Sequence, residues 1–128
     1  MRNKFLGTGH QSLNPMRKLR VVFSGLRYAI LNESSVAIEI ILSSLVLTGC
    51  FYYRLWLDFS IVLVASGLML VAEMFNTAIE ALCDFVEPGH NEKIGIIKDV
   101  ASAAAGISIL VWSITLLMEV LRLWQGVR

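Results

Sequence analysis

From Val100 to Met118 the chain carries no charged side chain. The hydrocarbon core of a bilayer is about 30 Å thick, and about 20 helical residues cross it. Two more apolar runs accompany this one. The first goes from Ser34 to Tyr53 with Glu39 as its one charge. The second goes from Phe59 to Cys83 and holds Glu73 and Glu80. Over 128 residues the chain is 56% hydrophobic, with a mean hydropathy of +0.69, too apolar for an ordinary soluble domain. A soluble bundle of three buried helices is the alternative, and the uncharged run argues most strongly against it. The fold expected is an all-α membrane protein, one domain over residues 1–128, with membrane helices near 34–53, 59–83 and 100–124.

The charges are unevenly placed. Six of the 11 Lys and Arg lie before Leu31 (Arg2, Lys4, Arg17, Lys18, Arg20, Arg27), and Lys93 and Lys98 lie between the second and third runs. The positive-inside rule then puts the N-terminus and the second loop in the cytoplasm. Tyr52, Tyr53, Trp56 and Trp124 would form an aromatic belt on the other side. Residues 1–13 are polar and contain glycine, so a disordered tail is expected there, with His10 a solvated bystander. No continuous apolar core marks a cleaved signal. From residue 15 to 30, Leu19, Val22, Phe23, Leu26 and Ala29 recur at helical spacing while Arg17, Lys18, Arg20 and Arg27 lie off that stripe. That pattern predicts an amphipathic helix on the cytoplasmic membrane surface. Asn32, Ser34 or Ser35 is expected to cap the first span. Phe51 to Asp58 reads as an aromatic hairpin and Glu87 to Glu92 as a loop. Cys50 and Cys83 fall near opposite ends of adjacent helices, so they cannot pair and are read as packing residues.

The chemistry sits at the end of the second run. At roughly 100° per residue, Glu73, Asn76, Glu80 and Asp84 share a sector of about 80°. A carboxylate inside a membrane helix costs several kcal/mol unless it meets a partner, so it is read as functional. Lys98-Asp99 then opens the third run. Mg²⁺ takes oxygen ligands and keeps several waters, so one or two carboxylates plus phosphate oxygens hold it. Glu33 and Glu80 suit that role. Glu73 lies about 10 Å deeper along the helix, where a base would meet an alcohol presented from the membrane. Asn76 can orient either group. Lys98 can act as a point charge on phosphates, and Asp99 can hold a lysine or ribose hydroxyls. No Walker or protein-kinase motif is present, and no Cys/His cluster for zinc or iron. A transporter or ion-pathway subunit is the rival reading. It would place acids through the membrane depth, whereas these cluster toward one side, with Asp58 alone beyond.

At these residues the chain resembles the small prokaryotic diacylglycerol kinases, a family that includes the undecaprenol kinases of Gram-positive bacteria. The family pattern E-x-x-N-T-A-I-E-x-x-x-D reads here Glu73, Asn76-Thr77-Ala78-Ile79-Glu80, Asp84, followed by Lys98-Asp99-Val100-Ala101-Ser102. Upstream, G-L-R-x-A-x-x-x-E reads Gly25-Leu26-Arg27-Tyr28-Ala29 to Glu33, and a second acid follows at Glu39. The resemblance implies a homotrimer in the bacterial cytoplasmic membrane, with three membrane helices per chain and sites shared between neighbours. It implies ATP and a membrane lipid alcohol as substrates, Mg²⁺ as cofactor, and no nucleic-acid partner. By matching position, Glu73 would be the catalytic base and Glu33 and Glu80 the Mg²⁺ ligands. Lys98 and Asp99 would contact ATP, and Arg17 is the candidate for an arginine usual before the surface helix. Asn76, Glu39, Asp84 and Ser102 would support the site or the lipid end. The chain departs from the family at Val36-Ala37, where an aromatic-Arg pair is frequent, and at His90-Asn91, where Tyr-His is frequent. Asn32-Glu33 looks like the diacylglycerol-type members, which favours diacylglycerol over undecaprenol.

Overall fold

A computed structural model describes residues 14–127; the tail, with His10, Arg2 and Lys4, lies outside them. The described chain is four helices with no strand: α1 (Pro15–Asn32), α2 (Ser34–Tyr52), α3 (Trp56–Val86) and α4 (Glu92–Val127). α2, α3 and α4 are each long and apolar enough to cross a membrane. The two longer helices overrun the apolar runs at both ends, because polar turns at the bilayer surface continue a helix whose hydrogen bonds are already propagating.

Each helix boundary has a local cause. Pro15 occupies the first turn of α1, where its missing N–H is no loss, and the Asn14 side chain accepts from the Met16 N–H at 3.1 Å. α1 and α2 part at Glu33, whose extended backbone (φ −118°, ψ 102°) turns the chain. The expected cap here does not form. Glu33 is the capping residue of α2 and makes no side-chain cap bond, and the Asn32 side chain donates backwards to the Tyr28 carbonyl at 2.8 Å. The α2–α3 hairpin is tighter than expected. α2 continues through Tyr52 and α3 begins at Trp56, with Arg54 between them at φ +57°. α4 begins early because Asn91 accepts from the N–H groups of Lys93 (3.0 Å) and Ile94 (3.3 Å).

α3 and α4 pack most extensively, and α2 lies mainly against α3. Val46, Cys50, Val62, Met69, Trp112 and Leu116 form the shared core. Small residues run from Ala101 to Gly106 of α4; Ala101 and Ala105 are buried and allow close packing there, while Ser102, Ala103, Ala104 and Gly106 stay exposed. Cys50 and Cys83 are buried free thiols. One polar knot joins all three spans within this core. The Ser66 hydroxyl donates to Ser43 Oγ at 2.9 Å, and the Trp112 indole N–H donates to the same oxygen at 2.8 Å. Without that bond the indole N–H would be orphaned among apolar side chains.

The end away from Glu73 carries an ionic cluster that the sequence reading did not anticipate. Arg122 of α4 pairs with Asp58 of α3, and its guanidinium is 3.6 Å from Glu119. Asp58 and Glu119 are both buried. Asp58 is therefore not the lone acid at that end. The uncharged run stops at Met118, and Glu119 and Arg122 follow on one face of the same helix.

Candidate active site

Helical spacing on α3 turns Glu73, Asn76 and Glu80 toward its neighbours. Glu73 is buried, while Asn76 and Glu80 are half-buried. Glu33 at the start of α2 and Glu80 both lie within electrostatic reach of Glu73, and Glu39 of α2 feels the charge of Glu73. Four carboxylates from two helices thus share one end of the bundle. Among the described residues no side chain donates a hydrogen bond to the Glu73 carboxylate. Glu39 is buried with Oε2 unpartnered. The Glu73 carboxylate and Glu39 Oε2 thus lack a donor within the chain, and that is the arrangement expected where a substrate or cation completes the site.

α4 closes the other side. Asn76 Nδ2 donates to Glu80 Oε1 at 3.4 Å, and the Ser102 hydroxyl lies 3.5 Å from both Asn76 Oδ1 and Glu80 Oε1. At the limit of hydrogen bonding, these contacts leave lone pairs of Glu80 available. Farther along, Lys98 Nζ donates to Asp84 Oδ1 at 2.8 Å and ties α4 to α3. The lysine stays more than a third exposed. Asp99 is exposed on α4, and neither it nor Arg17 takes part in an ion pair among the described residues. Arg17 lies exposed near the start of α1 and is not brought against the carboxylates by any contact within the chain.

Among the described residues no three acidic, His or Cys side chains converge as an all-protein metal cage. Glu33 and Glu80 are a fit donor set for Mg²⁺ all the same, because that ion is normally held by one or two carboxylates with waters and phosphate oxygens. Beside this layer, α1 and α3 leave an apolar groove of about 490 Å³. Gly25 and Tyr28 line one wall and Met74, Thr77 and Ala81 the other. The helices approach closely at Gly25, where an added Cβ would sit 3.6 Å from the Met74 methyl.

Residues 20–120, which include every one of these acids, match the family described as prokaryotic diacylglycerol kinase. The chain belongs to that family. It is 38% identical over 99 residues to the diacylglycerol kinases of Escherichia coli K12, Escherichia coli O157:H7 and Shigella flexneri, covering 73% of this chain and 77% of each relative. The protein is accordingly a lipid kinase, and the transporter reading falls away. The match begins at Arg20, so Arg17 lies outside it, whereas Glu33, Glu39, Glu73, Asn76, Glu80, Asp84, Lys98, Asp99 and Ser102 lie inside.

Proposed function

We propose that the kinase moves the γ-phosphoryl group of ATP to the hydroxyl of diacylglycerol, giving phosphatidic acid and ADP. The observation that carries this reading is Glu73, a buried carboxylate with no donor from its own chain, set beside an apolar groove and three further acids. Its carboxylate takes the proton of the lipid hydroxyl. The freed oxygen attacks the γ-phosphorus, and the bond to the β–γ bridging oxygen breaks, leaving that oxygen on ADP. Phosphoryl transfer is mostly positioning and charge neutralisation, so few groups are needed. Glu33 and Glu80 would hold Mg²⁺, which supplies positive charge against the phosphate oxygens. Lys98 lends a cation to the phosphates, with Asp84 holding its ammonium group. Asp99 serves the nucleotide, and Asn76, Ser102 and Glu39 position the site or the lipid.

Under this assignment Glu33→Gln and Glu80→Gln raise the Mg²⁺ concentration needed for half-maximal activity. Loss of one charged ligand from a two-carboxylate set shifts it by about tenfold, roughly 1.4 kcal/mol. Mg²⁺ titration of the purified variants checks this, and parent-like curves in both would remove the ligand role.

The protein sits in the bacterial cytoplasmic membrane with its N-terminus in the cytoplasm, where ATP is available. The basic residues of α1, with Lys93 and Lys98 at the start of α4, favour that orientation. α1 buries only Ala29, while Leu19, Val22 and Phe23 stay exposed, as befits a helix laid on a lipid surface. Less than a third of each span is buried within one chain. With Glu39 unsatisfied as well, that favours assembly into a homotrimer.

Diacylglycerol is preferred over undecaprenol on the Asn32-Glu33 pair, and the α1–α3 groove is where the two lipids would be told apart. In a mixed micelle holding both alcohols, kcat/KM is expected to favour diacylglycerol. A ratio of more than about tenfold toward undecaprenol, roughly 1.4 kcal/mol of transition-state binding, reverses the substrate while leaving the kinase chemistry in place.

A further inference from the structure

The hairpin at the end of the bundle opposite the carboxylates has charge left over. Among the described residues, Arg54, Asp58, Glu119 and Arg122 are the charged side chains near it. Asp58 would be the natural partner of Arg54, four residues away, but it is buried and taken by Arg122. Glu119 is buried too and faces the same guanidinium. Arg54 is exposed and enters no ion pair or side-chain hydrogen bond among the described residues. A cation at a membrane boundary with its nearby acids sequestered finds its anion outside the chain.

The hairpin also gives that anion a place. A cleft of about 460 Å³ is lined by Thr48, Phe51, Tyr52, Arg54 and Trp56. Its shape is fixed by backbone bonds: Leu55 N–H donates to the Cys50 carbonyl (2.9 Å) and Arg54 N–H to that of Phe51 (3.1 Å). Arg54 is held at φ +57°, a conformation uncommon for a residue other than glycine, Asn or Asp. The Phe51 and Trp56 rings meet edge to face at 5.5 Å, giving the cleft an aromatic wall. Neither the Tyr52 hydroxyl nor the Trp56 indole N–H has a hydrogen-bond partner among the described residues. Three unsatisfied donors, one of them a full positive charge, therefore border one cleft with an apolar side at interfacial depth.

We propose that this cleft binds the headgroup of an anionic phospholipid, with Arg54 on the phosphate, Tyr52 and Trp56 donating beside it, and Phe51 against the glycerol and upper acyl chain. A net-negative headgroup is favoured over a zwitterionic one, whose own ammonium already neutralises its phosphate. The inference rests on the membrane-spanning reading and not on the kinase chemistry.

The test uses the full chain in a neutral detergent, titrated with phosphatidylglycerol or with phosphatidylcholine, with thermal melting as readout. Phosphatidylglycerol should raise the melting temperature by several degrees, and phosphatidylcholine by much less. Arg54→Asn, chosen because Asn tolerates positive φ, should lose most of the phosphatidylglycerol shift. Transfer of label from ATP to lipid should remain at the parent rate, so failure of the cleft and failure of the kinase reading are seen separately. An equal shift in parent and Arg54→Asn overturns the site. So does a changed assembly mass in Arg54→Asn, which would assign Arg54 to a neighbouring copy. Should Arg54→Asn fail to fold, Trp56→Leu keeps the cation and removes a donor and the ring. It should at least halve the shift, and an unchanged shift overturns the proposal.

Discussion

Glu73→Gln should lower kcat by about 100-fold or more, roughly 2.7 kcal/mol or greater, with ATP affinity in the presence of Mg²⁺ close to the parent value. The amide is nearly the same size as the carboxylate but cannot accept the hydroxyl proton. Glu73 is 8% exposed and receives no hydrogen bond from the described residues, so the substitution breaks no bond within the chain and the fold should survive. It also removes one of several carboxylates crowded at that end, which if anything eases assembly. Single-turnover kinetics on the purified variant, with nucleotide binding measured alongside, separates the two effects. Near-normal turnover in correctly assembled protein would show that another group takes the proton.

The second large effect belongs to the opposite end of the bundle. Arg122→Met leaves Asp58 and Glu119 buried with no cation between them. Removing one partner of a buried ion pair costs about 3–5 kcal/mol, and the low end applies here because the guanidinium is 57% exposed. The melting temperature in detergent should drop markedly. Adding Asp58→Asn and Glu119→Gln to Arg122→Met should recover most of the loss, since neutral amides no longer need the cation. Turnover below the melting point should hardly change, because the cluster is remote from Glu73. A parent-like melt for Arg122→Met would mean that the pair contributes little to holding α3 against α4.

Much of this architecture is legible in the sequence because a bilayer imposes a strong pattern. Three apolar runs of spanning length correspond to α2, α3 and α4, and the 3.6-residue period alone places Glu73, Asn76, Glu80 and Asp84 on one face of α3. The Asn76–Glu80–Ser102 contacts and the Lys98–Asp84 pair then join α3 to α4 at that end. Other features escaped for physical reasons. Helix ends depend on which side chain reaches a free N–H: Asn91 does so and extends α4, whereas Asn32 turns back to Tyr28 and leaves Glu33 to begin α2 unaided. Asp58 and Arg122 are far apart in sequence and meet only because α3 and α4 run antiparallel through a tight packing. Ser43, Ser66 and Trp112 look like ordinary members of apolar runs, and their knot exists only once three helices face one another. Arg17 shows the converse limit, since its basic setting suggests a phosphate contact that nothing within one chain brings about.

The most direct test of the central claim is the fate of the γ-phosphate. Purified protein in detergent is given γ-labelled ATP, Mg²⁺ and diacylglycerol, and the lipids are extracted and separated. Label is expected in phosphatidic acid, in proportion to enzyme, abolished in Glu73→Gln and dependent on Mg²⁺. Label that stays in ATP, or appears only as free phosphate while no lipid alcohol is phosphorylated by well-assembled protein, would contradict the account.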